Sequence, residues 1–120
     1  MPYYDLEERT LKFAIEVRKL IKDLPPNTIN FEDGKQLVRS SGSVGANYIE
    51  ANENIGAKNF LMHLKIARKE AKETIYWLSI LKSLNDEKYI TCFDGLLEES
   101  TALRKILSSI IIKQKSKLKK

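Results

Sequence analysis

The stretch Arg39-Ser40-Ser41-Gly42-Ser43-Val44-Gly45-Ala46-Asn47-Tyr48-Ile49-Glu50-Ala51 decides how this chain folds. It reads as helix although it carries two interior glycines, each of which costs a helix about 0.5–1 kcal/mol relative to alanine. A helix that accepts this cost twice within one turn brings something close to its backbone. Leu37, Ser41, Val44, Tyr48, Ala51 and Ile55 recur by steps of three and four, the spacing of a face turned to a core. Arg39, Ser43, Asn47 and Glu50 form a second, polar stripe on the same helix.

The same period runs outward on both sides. Leu6, Thr10, Phe13, Val17, Leu20 and Leu24 form one seam, and Phe60, Leu64, Ala67, Ala71, Thr74, Leu78 and Leu81 another. Tyr89, Phe93, Leu96, Ser100, Leu103, Leu107 and Ile110 form a third. No segment alternates with period two for long enough to argue a strand. The breaks agree with the seams. Leu24-Pro25-Pro26-Asn27 stops the first helix. Asn30 with Asp33 is expected to cap the second, which ends at Asn54-Ile55-Gly56, with Gly56 suited to the left-handed residue after a helix. Asn85-Asp86 marks the third turn, and Thr91 with Asp94 resembles a capping box. Short connections make sequential helices antiparallel neighbours. The fold class is therefore all-α: an antiparallel up-and-down four-helix bundle over residues 1–112, followed by a basic tail, 113–120.

Of the 21 lysines and arginines in the 120 residues, five lie in that tail, which leaves 16 against 16 acids, a neutral body. Lys113, Lys115, Lys117, Lys119 and Lys120 can hold a phosphate backbone through charge alone, or serve as a frayed, solubilising end. A second basic cluster, Lys65, Arg68, Lys69 and Lys72, with Glu70 the one acid among them, lies away from the Phe60–Leu81 seam or at its edges and reads as a solvated helix face or as a phosphate-contacting one. No apolar run spans a bilayer, and the first residues carry no secretory signal. The single Cys92 suits a reducing cytosol and reads as a small core residue. The expected setting is cytoplasmic, with no membrane.

If the second and third helices form a hairpin turning near Gly56, residues at one height have numbers summing to about 112. That rule sets Arg39 opposite Glu73, Ser43 opposite Glu70 and Glu50 opposite His63. The third helix has the matching second stripe, His63, Ile66, Glu70, Glu73, Trp77, Ile80 and Leu84. A structural polar seam of Arg39, Ser43, Asn47, Glu50, His63, Glu70 and Glu73 follows, in which charged pairs fix register. The competing chemistries lack parts. Di-iron bundles use a Glu-x-x-His pair on each of two helices, whereas this chain has one histidine, with Phe60 three residues before it. Glu70 and Glu73 have no nucleophile beside them, and no phosphate-binding glycine loop is present. Neither a catalytic residue nor a metal or other cofactor is expected. Leu11, Ile21, Leu61, Ile80 and Ile112 are surplus to one four-helix seam, which points to a further buried face between subunits.

Gln36 to Ala51, followed by Phe60-Leu-Met-His-Leu-Lys-Ile-Ala-Arg-Lys-Glu-Ala-Lys-Glu-Thr-Ile-Tyr-Trp-Leu78, resembles the four-helix bundle proteins associated with 23S ribosomal RNA intervening sequences. The similarity covers about Phe13 to Ile112. The positions that carry it are Arg39, Ser40, Ser43, Asn47, Glu50, Glu70, Glu73 and Trp77. The resemblance implies a ring-like homo-oligomer, best known as a pentamer. It also implies kinship with the accessory variability protein of diversity-generating retroelements, a basic pentameric barrel that binds nucleic acid and a reverse transcriptase. The expected function is a non-enzymatic RNA- or DNA-associated accessory role, with a ribonucleoprotein partner as one form of it. A structural or protein-interaction module with no direct nucleic-acid binding is the alternative.

Overall fold

The computed structural model describes residues 5–53 and 56–118, so Lys119, Lys120 and Ile55 lie outside the described residues. Four helices follow one another: α1 (Asp5–Asp23), α2 (Thr28–Glu53), α3 (Ala57–Leu84) and α4 (Ile90–Leu118). A short 3-10 turn, Glu87–Tyr89, leads into α4. The bundle is a rod of 52 × 21 × 20 Å. α2 packs mainly on α3 and α1, and α3 packs on α4; α1 touches α4 more lightly. The described seam positions are buried as their period requires, except Phe60 and Tyr89, which are half-buried and pack against the core.

The glycines of α2 face α1. A Cβ on Gly45 would stand 2.7 Å from Thr10 Oγ1 and 2.9 Å from Thr10 Cβ, closer than atoms can approach. Thr10 cannot give way, because its hydroxyl donates to the carbonyls of Leu6 at 2.9 Å and Glu7 at 3.0 Å. The close approach expected from this pair of glycines is therefore a contact within the bundle. A Cβ on Gly42 would stand 3.0 Å from Nη2 of Arg18, the end of a flexible side chain.

Helix ends differ from the sequence reading at two places. Asn27, not Asn30, caps α2: its Oδ1 accepts from the Asn30 amide at 2.8 Å. The diproline already orients the chain, so the cap falls directly after it. Asn30 is instead buried inside the first turn, where its Nδ2 donates to Pro25 O at 2.8 Å and Asn85 Oδ1 at 3.0 Å. Asn85 returns the bond to Asn30 Oδ1 at 2.9 Å, which clamps the α1–α2 and α3–α4 turns together. At the start of α4, Asp86 caps the 3-10 turn through the Lys88 amide at 2.9 Å. No capping box forms at Thr91, because the Asp94 carboxylate is drawn to Lys82 Nζ at 2.6 Å. Gly56 takes a positive φ of 113° with ψ of 142°, so it supplies the backbone freedom the turn needs without being left-handed helical.

Two further expectations are corrected by exposure. Cys92 is exposed, on the side of α4 that faces α1. Of the surplus apolar residues, Ile21 and Leu61 pack against the core and Ile80 is half-buried, whereas Leu11 and Ile112 are open at 61% and 67%. The lysines expected in a tail continue α4 as helix to Leu118.

Candidate functional site

The seam between α2 and α3 is built from the polar stripe. Arg39 Nη2 lies 2.7 Å from Glu73 Oε2, and Nη1 lies 3.3 Å from Glu70 Oε1. The guanidinium thus bridges two carboxylates one helical turn apart through charge-assisted hydrogen bonds. Burial pushes the Glu70 carboxyl up, Glu73 adds to the shift, and Arg39 opposes it. Arg39 holds the Glu73 carboxyl below the ordinary range. The indole of Trp77 donates to Glu73 Oε1 at 3.4 Å.

The rest of the seam departs from the simple height rule. His63 Nδ1 pairs with Asn47 Oδ1 at 3.3 Å, not with Glu50. Ser43 meets Asn47, whose Nδ2 donates to its Oγ at 2.9 Å, and not Glu70. Side chains lean toward the N-terminus of their helix, so facing residues miss a common height by up to a turn. The deepest polar contact is one the stripe did not reveal: Thr74 Oγ1 lies 2.9 Å from Ser40 Oγ, both fully buried. Its signal is faint, two hydroxyls on otherwise apolar faces. Every buried side-chain polar atom among the described residues has a partner.

The basic residues come together on the opposite side of α3. The segment 57–69 carries Lys58, Lys65, Arg68 and Lys69 with no acid, and 100–118 of α4 carries Arg104, Lys105, Lys113, Lys115 and Lys117 with no acid. Two contacts set these segments side by side: Ser100 Oγ donates to Ala71 O at 2.9 Å, and Lys82 meets Asp94. In that register Arg68 falls beside Arg104 and Lys105. Lys65, Lys69, Lys72, Arg104, Lys105, Lys115 and Lys117 are exposed and Arg68 is half-buried. Among the described residues, none of these eight is in an ion pair. Sequence reading missed Arg104 and Lys105; the readable signal was the absence of any acid after Glu99. Tyr76, which is 60% exposed, stands one turn beyond Lys72, edge-on to Trp77.

Four antiparallel helices, an Arg–Glu–Glu clamp between the second and third and basic residues on the third and fourth define an all-α bundle. Residues 4–109 match the family model described as 23S rRNA-intervening sequence protein. The chain belongs to that family. It is also similar to the crystal structure of a protein with unknown function from the S23 ribosomal protein family of Bacteroides thetaiotaomicron. Identity is 32%, with 88% of this chain and 96% of that chain covered and a TM-score of 0.74. Among curated proteins, none matches the chain.

Proposed function

We propose that this protein is a non-enzymatic, cytoplasmic accessory protein that self-associates and holds nucleic acid, RNA foremost, on its α3–α4 face. The observation that carries the reading is the run of cations along α3 and α4, among which Lys65, Arg68, Lys69, Lys72, Arg104, Lys105, Lys115 and Lys117 are in no ion pair among the described residues. Lys65, Arg68, Lys69, Lys72, Arg104, Lys105, Lys113, Lys115 and Lys117 are assigned phosphate contacts, to which Lys119 and Lys120 would add. Such contacts release counterions, so affinity must fall with salt. The family's association with 23S ribosomal RNA favours RNA as the polymer. A lone thiol fits the reducing compartment. Among the described residues no helix is long and apolar enough to cross a membrane. The carboxylates of the seam are committed to Arg39, which supports a structural over a catalytic role for them. Self-association, in the ring form a pentamer, rests on the resemblance and on the open apolar side chains Leu11 and Ile112.

Titration of a labelled RNA oligomer at about 50 and 200 mM salt tests the proposal. Five phosphate contacts to a single strand give a log–log slope near −3.5. Arg68→Glu with Arg104→Glu should abolish binding, and replacing Lys113, Lys115 and Lys117 by Gln should weaken it. No binding at low salt, or binding indifferent to salt, overturns the reading in favour of a protein-interaction module.

A further inference from the structure

α3 turns one face away from the rest of the bundle. Lys65, Lys69, Lys72 and Tyr76 are all exposed and fall within about 60° of the helix circumference. Lys72, Lys69 and Lys65 start roughly 6, 10 and 16 Å along the axis from the tyrosine, so the ring stands at the end of a line of cations. Beyond it α3 has one further cation, Lys82, and Asp94 holds that one at 2.6 Å.

The ring is braced from the side. Trp77 meets it edge-to-face, with centroids 5.1 Å apart and planes at 77°. The half-buried indole donates to Glu73 Oε1 at 3.4 Å, and Arg39 holds Glu73 at 2.7 Å. The chain of contacts that positions Tyr76 therefore begins in the α2–α3 seam. It also turns Glu73, the acid nearest the ring, toward α2. In an edge-to-face pair at least one face of the Tyr76 ring stays clear of the indole. The residue is 60% exposed, and among the described residues its hydroxyl makes no hydrogen bond and no cation lies over its ring. Phe31 is exposed to the same degree, at 61%, but Lys35 Nζ lies over it, 4.3 Å from its centre. A single exposed aromatic is ordinary on a protein surface. That explanation gives no reason for a ring that is braced, uncovered and in line with three lysines in no ion pair.

We propose that Tyr76 is a stacking platform for an unpaired base, so that the ligand of this face is a single strand and not a duplex. The proposal rests on the nucleic-acid reading and narrows it. Lysines hold phosphates whatever the bases do. An aromatic face discriminates, because bases inside a duplex already stack on one another and only a splayed base can lie on a side chain. A strand whose phosphates follow Lys65, Lys69 and Lys72 brings its next base to the ring. The recognition is tolerant of sequence, since every base has a π-face. The nearby hydroxyls do not add readout as donors: Ser79 donates to Ile75 O at 2.7 Å and Ser83 to Ser79 O at 2.9 Å.

The test titrates labelled oligouridylate of about 12 nucleotides, and an RNA duplex of the same length, against the full chain, Tyr76→Ala and Tyr76→Phe. Circular dichroism melts confirm folding. Tyr76→Ala should weaken the single strand about fivefold or more and leave the duplex within about twofold. Its salt slope on the strand should match that of wild type, because the phosphate contacts remain. Tyr76→Phe keeps the ring and should recover the strand to within about twofold. Equal losses on strand and duplex, or strand affinity unchanged in Tyr76→Ala, overturns the stacking while leaving the phosphate contacts standing. In the second case, self-association lost in sedimentation equilibrium gives the ring to a contact between subunits instead. No binding of either RNA at about 50 mM salt overturns both readings.

Discussion

Replacing Arg39 by Met removes the one cation that faces two carboxylates while keeping most of the side-chain volume. Breaking a fully buried pair costs about 3–5 kcal/mol, because an uncompensated charge stays behind. The setting here is intermediate: the Glu70 side chain is 8% exposed, but those of Glu73 and Arg39 are 34% and 48% exposed. Solvent screens the outer half of the triad as it does a surface pair. A loss of about 2 kcal/mol at neutral pH follows, or about 8 °C in Tm for a chain of this size. The pH dependence carries the sharper information. The Glu73 carboxyl is held down by Arg39, so its contribution is present above the ordinary carboxylate range and lost as pH falls through its lowered pKa. Glu70, raised chiefly by burial, opposes folding increasingly as pH rises through its raised pKa, and Arg39 limits that penalty. Without Arg39 both carboxyls move up. The variant's deficit should therefore be greatest at neutral pH and shrink as pH falls through the carboxylate range, where the variant's carboxyls take up protons before wild-type Glu73 does. Urea unfolding of wild type and Arg39→Met at neutral pH and within the carboxylate range measures this. Adding Glu70→Gln should cost less than the sum of the two single changes. Equal deficits at both pH values, or strict additivity, would refute a charge clamp and leave only packing.

Three further outcomes follow from contacts of known length. Gly45→Ala should lose about 2 kcal/mol by overpacking against Thr10, and Thr10→Ala in the same chain should recover part of it in thermal melts. Gly95→Ala should raise the stability of the fold by about 0.5–1 kcal/mol, since its Cβ meets open space and helix propensity alone changes. Asn30→Leu should lose about 2 kcal/mol by leaving Asn85 and the Pro25 carbonyl short of a partner, and an unchanged melting temperature would deny the clamp.

The seams were legible because a heptad-like period survives any detail of packing: each Leu, Val or Phe at those spacings faces inward whichever helix lies opposite. Arg39 with Glu70 and Glu73 was legible for a related reason, since a long side chain bridges a turn of error in height. The short side chains were not. Ser43 and Asn47 reach only a few ångströms, so a lean of one turn sent Asn47 to His63 and left Glu50 out of that pairing. Asn30 was misread because Asn at a helix start serves equally as a cap or as an inward amide. Only its distance from the diproline turn, and Asn85 across the bundle, decide between them. Cys92 was misread because the packing between α1 and α4 is open there, and a gap between distant segments leaves no periodic signature. The basic residues were legible on α3 and at the end of α4, but Arg104 and Lys105 were not, because what brings them beside Arg68 is the register between the two helices, set by Lys82 with Asp94.

The quoted stretch of α2 combines two opposed requirements, and that combination explains its composition. Toward α1 it must be small, so Gly45 stands against Thr10. Toward α3 it must be polar and specific, so Arg39, Ser40 and Asn47 each find a partner there. A helix that is smooth on one flank and keyed on the other fixes the position of α3 along its own axis while α1 seats closely against it. A slip of α3 by one turn, about 5.4 Å, would carry Glu73 away from Arg39 and separate Thr74 from Ser40. Because α3 is joined to α4 by Ser100 and Asp94, holding α3 also holds the position at which Lys65–Lys72 meets Arg104 and Lys105. On the proposed reading, the stretch need not touch a nucleic acid to matter for its binding. Seam variants such as Arg39→Met should weaken RNA only as far as they loosen the fold, whereas reversals on α3 and α4 should weaken it with the fold intact.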